Sequence, residues 1–358
     1  MTTGEPKWFA QDRAAVDEFL RRREERYATA KPIRPCTRCF GADSAAAGEA
    51  SAPALAAREA AGAAEVRAPV IRRIPDGFEV RADEYVPNEP RADSPARVLR
   101  RLIGDEVRGL PGPRGRVLQA AYAGWRWAGT DVENLLFNNI DQGLSLFAGP
   151  GRLGVRFEDL GDRVPPGPDG SAWRCFYRYR LAGPGEPFDA VRPGELVCRV
   201  PEVVVPDGPA RFAARVWLAV CSARVRSGVA CARPLAGPYV LRMTVRGLHP
   251  ARTVKTLVDG ASAAMQRDEP GRIGAVIGRL SRLLDVDATY LMSLASDPEA
   301  PLGTRSRARP DSAESLFVLD GSNQVRVTPD DDRCAAAEVM SAGDGGQPSV
   351  TVEVFRAE

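Results

Sequence analysis

Asp131 and Glu133 open the stretch Asp131-Val132-Glu133-Asn134-Leu135-Leu136, and Asp141 follows further on. On a helix beginning here, the two acids flank the first turn, and Asp131, Asn134 and Leu135 lie along one side. Carboxylates grouped in this way are the donors that a hard divalent cation such as Mg²⁺ takes, with water completing its shell. Asp131, Glu133 and Asp141 are therefore candidate metal ligands and, around a metal, candidate catalytic residues. The same residues admit a second reading. Thr130-Asp131-Val132-Glu133 fits the capping box S/T-x-x-E, and acids in a first helical turn suit the helix dipole.

A second group lies in residues 173–181, where side chains alternate. Trp173, Cys175, Tyr177 and Tyr179 point one way, and Arg174, Phe176, Arg178 and Arg180 the other. Three arginines around one aromatic can track a phosphate backbone and stack a base, which makes these four the candidate nucleic-acid-binding residues, with DNA as partner. They also fit the ordinary outer face of an antiparallel sheet, with arginine stems covering apolar surface. Cys36-Thr37-Arg38-Cys39 is a CxxC whose spacing suits two sulfurs on one zinc. A structural zinc takes four ligands, and no second CxxC or histidine pair is present, so zinc here would have to be shared with a partner chain. His249 is the single histidine, which excludes a histidine-based triad and a multi-histidine metal site. No GxxxxGK[ST] and no strand–GxGxxG–helix unit occurs, so a P-loop is excluded.

These groups need elements to hold them. Residues 12–27 read as an amphipathic helix with Val16, Phe19, Leu20 and Tyr27 on one side and a charged face on the other, a candidate element for binding a protein partner. Residues 41–67 are a low-complexity linker rich in Ala, Gly, Ser and Glu. Ser94-Pro95 starts a helix whose apolar face is Val98, Leu99, Leu102, Ile103 and Val107. A strand follows at 117–122 and a helix from about 132 to 147. The runs 153–157, 173–181, 196–205, 211–224 and 238–246 read as antiparallel strands. Helical spacing returns after Arg252, over about 254–265, 273–283 and 286–295. Strands at 316–319, 324–328 and 350–355 close the chain, with 335–340 pairing with the last across Gly343-Asp344-Gly345-Gly346. Val117-Leu118 and Gly124 repeat as Val240-Leu241 and Gly247 at an offset of 123 residues, so the two halves read as similar units.

The expected fold is therefore α+β, antiparallel sheets with packed helices in two similar units, preceded by an N-terminal helix and a flexible linker. The expected divisions are 1–40, 41–67, 68–230 and 231–358. Over 358 residues, 49 basic and 47 acidic side chains nearly cancel, which favours neither nucleic acid nor membrane globally. All but three of the basic residues are arginine, a bias that a GC-rich coding sequence produces by itself. With seven cysteines, no long apolar run and charges throughout the first twenty residues, the chain reads as soluble and cytoplasmic, with no membrane partner.

The order of elements around Asp131 resembles that of the RusA-type Holliday-junction resolvases, which pair a strand with a helix bearing DxDNxxKxxxDAL. Asp131, Glu133, Asn134, Leu135 and Asp141 fall on matching spacings, with Glu133 in place of the second aspartate and Phe137 in place of the lysine. Glu158-Asp159 stands nearest to the family's following acidic pair. In the second half, Lys255 and Asp259-Gly260 match the KxxxD part, and Asp330-Asp331-Asp332 precedes a final strand pair; His249, Ala251 and Arg252 replace the leading acids and asparagine. The resemblance implies carboxylate-bound Mg²⁺, cleavage of branched DNA and a dimer. The expectation is thus a nucleic-acid-associated protein of resolvase-like descent. The alternative is a non-enzymatic accessory protein that binds another protein through residues 12–27.

Overall fold

In the computed structural model, the described residues are 67–90, 94–125, 130–227, 234–268, 270–304, 315–320, 324–329 and 333–358. The expected N-terminal helix, the linker and the CxxC lie outside them. β1 (Val70–Ile74) and β2 (Gly77–Ala82) form a hairpin. α1 (Pro95–Arg108) starts as its sequence dictates, with Ser94 as N-cap accepting from Arg97 N at 3.4 Å and Pro95 in the first turn. Leu99, Ile103 and Val107 are its buried stripe. β3 (Val117–Gly124) is buried throughout, as a central strand covered on both faces must be. A short π-helix (Asn134–Asn138), β4 (Gly154–Asp159), β5 (Cys175–Ala182) and β6 (Pro193–Val204) follow. Then come α2 (Phe212–Arg226), β7 (Tyr239–Arg246), α3 (Pro250–Ala264), α4 (Pro270–Leu284) and α5 (Ala288–Ala295). The chain ends with the small hairpin β8 (Phe317–Leu319) and β9 (Val325–Val327), then β10 (Cys334–Ser341) and β11 (Ser349–Ala357).

The fold is α+β, with one mixed nine-stranded sheet in the order β1-β2-β5-β3-β4-β10-β7-β11-β6. Most pairs are antiparallel, but β3 runs parallel to β4 and β7 parallel to β10. The order contains a repeat. Strands β2-β5-β3-β4 on one side and β6-β11-β7-β10 on the other have the same sequence of connections and the same pattern of parallel and antiparallel pairs. The two sets meet at the antiparallel pair β4–β10, where Phe157 faces Ala337. β3 and β7 are equivalent in this order, and Gly124, the last residue of β3, and Gly247, the residue after β7, both have positive φ (124° and 64°). β6 and α2 thus belong to the second half of the sheet, on the far side from the strands that precede them.

Three sequence expectations change. Residues 211–224 form a helix rather than a strand, because α2 is buried on nearly every side and its apolar residues carry no clear face. The helix expected over 132–147 is a single π-turn, since Asp141 turns back to accept from Gly143 N, Ser145 Oγ and Leu146 N and so ends it. β10 does not pair with β11, because β7 lies between them.

Candidate functional site

The residues that could do chemistry converge where the equivalent segments after β3 and β7 face each other. In the first half, Leu135, Leu136 and Phe137 anchor the π-turn in the core, Phe137 packing edge-on against Phe147 at 5.1 Å. Tyr179 Oη donates to Leu136 O at 2.7 Å, and Asn139 N closes the i→i+5 bond to Asn134 O at 2.8 Å. This anchoring fixes Asp131, Glu133 and Asn134 against α3. In the second half, Val254, Leu257, Val258 and Ala261 bury one side of α3, which leaves Lys255 and Asp259, one turn apart, directed at the first half.

Lys255 Nζ lies 3.0 Å from Glu133 Oε1 and 2.7 Å from Asp259 Oδ1. Glu133 is fully enclosed, and burial raises its pKa from the ordinary 4.5 to about 7; the Lys255 cation pulls it down less than burial pushes it up, and Asp131 and Asp259 push it further. Asp131 Oδ2 accepts from Asn134 Nδ2 at 2.9 Å, whereas its Oδ1 is shielded from water and has no hydrogen-bond donor among the described residues. Asp131, Asn134, Lys255 and Asp259 line a polar cleft of about 630 Å³. Its opposite wall is Tyr85, Asn88 and the β8–β9 hairpin, which contributes Asp320, Arg326 and Thr328. Asp320 is held there by an ion pair to Arg211 and by Gln324 N at 3.0 Å.

Of the three acids expected together, the structure brings Asp131 and Glu133 to this site but not Asp141, whose carboxylate is consumed by its own loop. Burial would raise its pKa, but the hydrogen bonds from Leu146, Ser145 and Gly143 together hold it below the ordinary range. The expected capping box is not formed either: the π-turn has no side-chain cap bond, and the Glu133 carboxylate goes to Lys255. Nor do Asp131, Glu133 and Asp141 fit Mg²⁺. One is bound to a cation behind the cleft wall and another is turned into a loop, and among the described residues no group of three or more His, Cys, Asp or Glu converges on one point.

The arginine face of β5 is also occupied. The Phe176 ring is buried under the Arg81 guanidinium, 5.2 Å from its centroid, and so offers no stacking platform. Arg178 pairs with Asp189 and lies 3.6 Å from Glu158, and Arg180 bonds Glu186 and Gln119, each at 3.1 Å. Of the four, Arg174 alone is exposed. Residues 183–192 fold over this face and supply the acids, so its charge is neutralised within the molecule. Sequence reading missed Tyr85, Asn88, Asp320 and Arg326. None carries a motif, and only the sheet order brings them to the cleft.

No family model matches the chain, and no curated protein matches it. A solved structure of cyanuric acid hydrolase shows a likeness with TM-score 0.16 and 10% identity over 69% of this chain and 60% of that one, too slight to bear on fold or function. The resemblance to RusA-type resolvases is therefore not upheld. No family model and no curated relative supports it, and the residues that carried the motif serve other purposes here: Glu133 faces Lys255, and Asp141 caps a loop. Among the described residues no helix is long and apolar enough to cross a membrane.

Proposed function

We propose that the cleft between the two halves is the working site of this protein. It takes a small polar ligand that brings hydrogen-bond donors, a protonated amine or neighbouring hydroxyls, and exchanges a proton with it through Lys255, with Glu133 as the reservoir. The observation that carries this reading is the pairing of a cleft-lining lysine with a buried glutamate whose pKa lies near neutrality. Such a carboxyl changes protonation at small cost around pH 7, and among the described residues Lys255 is the hydrogen-bond partner that links it to the cleft. Asp131 supports the choice of ligand, because its shielded Oδ1 lacks a donor and an unmet buried acceptor costs roughly 1–3 kcal/mol. Three aspartates against one lysine and one arginine on the walls also favour a ligand that is not an anion.

The test is a thermal-shift screen of small amines, amino sugars and polyols against the full chain, with Asp131→Asn beside the wild type. A ligand of the native state raises the melting temperature by mass action. At least one compound should do so for the wild type and lose at least tenfold in affinity with Asp131→Asn. A screen in which no compound shifts melting, or in which the variant responds like the wild type, would sink the reading.

A further inference from the structure

α1 carries features that make it a poorer helix than its sequence needs. Arg97 stands in the first turn, where the helix dipole disfavours a cation, and no acid is present there to offset it. Arg97 and Arg101 are like charges one turn apart on the same side, a spacing that lowers helix stability. Gly104 sits in the helix interior, where glycine is unfavourable, although a Cβ there would meet nothing closer than Leu146 Cδ2 at 3.8 Å. All three positions border one groove of about 830 Å³, separate from the cleft but sharing Asn88 with it. Arg100 and Arg108 complete the groove's positive side. Arg100 is braced by its Nε bond to Ile140 O at 2.9 Å, and Arg108 by Asp105 at 2.5 Å. The acids on the groove are Glu89 and Asp141, and Asp141 is already committed to Gly143, Ser145 and Leu146. Among the described residues no ion pair joins Arg97 or Arg101 to a carboxylate.

We propose that this groove is a second binding site, for the phosphate groups of a small phosphorylated ligand, with Arg97 and Arg101 as its principal contacts. Arginine suits that chemistry because its planar fork meets two phosphate oxygens at once. Ile140, Leu146 and the bare backbone at Gly104 give the groove an apolar floor, and an apolar surface strengthens the attraction of the guanidinium groups beside it. Filling the groove also removes the repulsion between Arg97 and Arg101, so an anion is the ligand that relieves what the helix lacks. The site is built from α1 and the loop at 140–146, and it does not depend on the ligand of the neighbouring cleft.

Isothermal titration of inorganic pyrophosphate into the full chain at fixed ionic strength tests this. The wild type should bind. Arg97→Gln with Arg101→Gln should weaken binding at least tenfold, and Gly104→Leu, which fills the floor while improving helix propensity, should do the same without loss of folding. Arg72→Gln, an exposed arginine on β1 away from the groove, should bind as the wild type does. The proposal is overturned if pyrophosphate does not bind, if Arg72→Gln weakens it as much as the groove variants, or if Gly104→Leu binds unchanged. Binding of single-stranded DNA without binding of pyrophosphate would likewise overturn it, in favour of a backbone-tracking surface.

Discussion

The two halves of the sheet share strand order and connections, yet they treat the segment after their central strand differently. After β3 the chain makes one π-turn and leaves the sheet's face through loops. After β7 it runs through the fifteen-residue α3, two further helices and a hairpin before it returns as β10. The short segment supplies the buried acid Glu133 and the long one supplies the lysine that meets it. A repeated topology thus places equivalent segments face to face, and their divergence makes the pair complementary, with Glu133 opposite Lys255. Neither half contains the site alone.

Breaking the turns that end the two equivalent strands should have the largest effect. A Cβ on Gly124 would lie 2.1 Å from Arg174 O at φ 124°, and one on Gly247 would lie 2.7 Å from Gly346 O at φ 64°. Gly124→Ala should destabilise by about 4 kcal/mol, and Gly247→Ala, in the milder left-handed region, by about 2 kcal/mol. Equal losses in chemical denaturation would show that the two turns are not so different as their geometry implies. Lys255→Met removes the cation from between two carboxylates. It should cost about 3 kcal/mol at pH 8, where the Glu133 carboxylate loses the cation that offsets its burial, and much less at pH 5, where Glu133 already holds its proton. A cost independent of pH would mean that Lys255 acts through packing.

Glu133 sharpens the comparison through its own titration. Its folded pKa of about 7 lies above the ordinary 4.5, so the folded protein holds a proton that the unfolded chain has released between these values. The stability it contributes is therefore complete below pH 4.5 and is lost as pH rises through 7, by ~3 kcal/mol in all. Glu133→Gln should flatten this slope and make the protein more stable than wild type at pH 8, measured by urea unfolding across the range. The smallest effect is expected at Asn134. Asn134→Ala loses one bond to Asp131 and should cost about 1 kcal/mol, with Ser94→Ala at the start of α1 similar.

What could be read beforehand followed from local chemistry. Ser94-Pro95 and the stripe behind it gave α1, and the alternation of Cys175, Tyr177 and Tyr179 gave the core face of β5. The repeat of Val117-Leu118 and Gly124 at 240–247 falls on strands that are equivalent in the sheet. α2 was misread because Trp217, Val220, Cys221 and Arg224 are all buried, so no polar side marks the helical period. In the site, Asp131 and Glu133 stood out as acids, and Lys255 and Asp259 as a separate lysine–acid pair. That the two pairs meet depends on the contact of β4 with β10, between strands 175 or more residues apart, and no local pattern encodes it.

That same seam bears on how the molecule is made. β2, β5, β3 and β4 can all pair once the chain has reached Ala182, and the group then ends in β4 with one row of backbone donors and acceptors unmatched. The strand that matches them, β10, is the second to last to be synthesised. A nascent chain must therefore carry an open edge for more than 150 residues of translation, a state prone to pairing with neighbours on a polysome, and stop codons before Cys334 would leave it open for good.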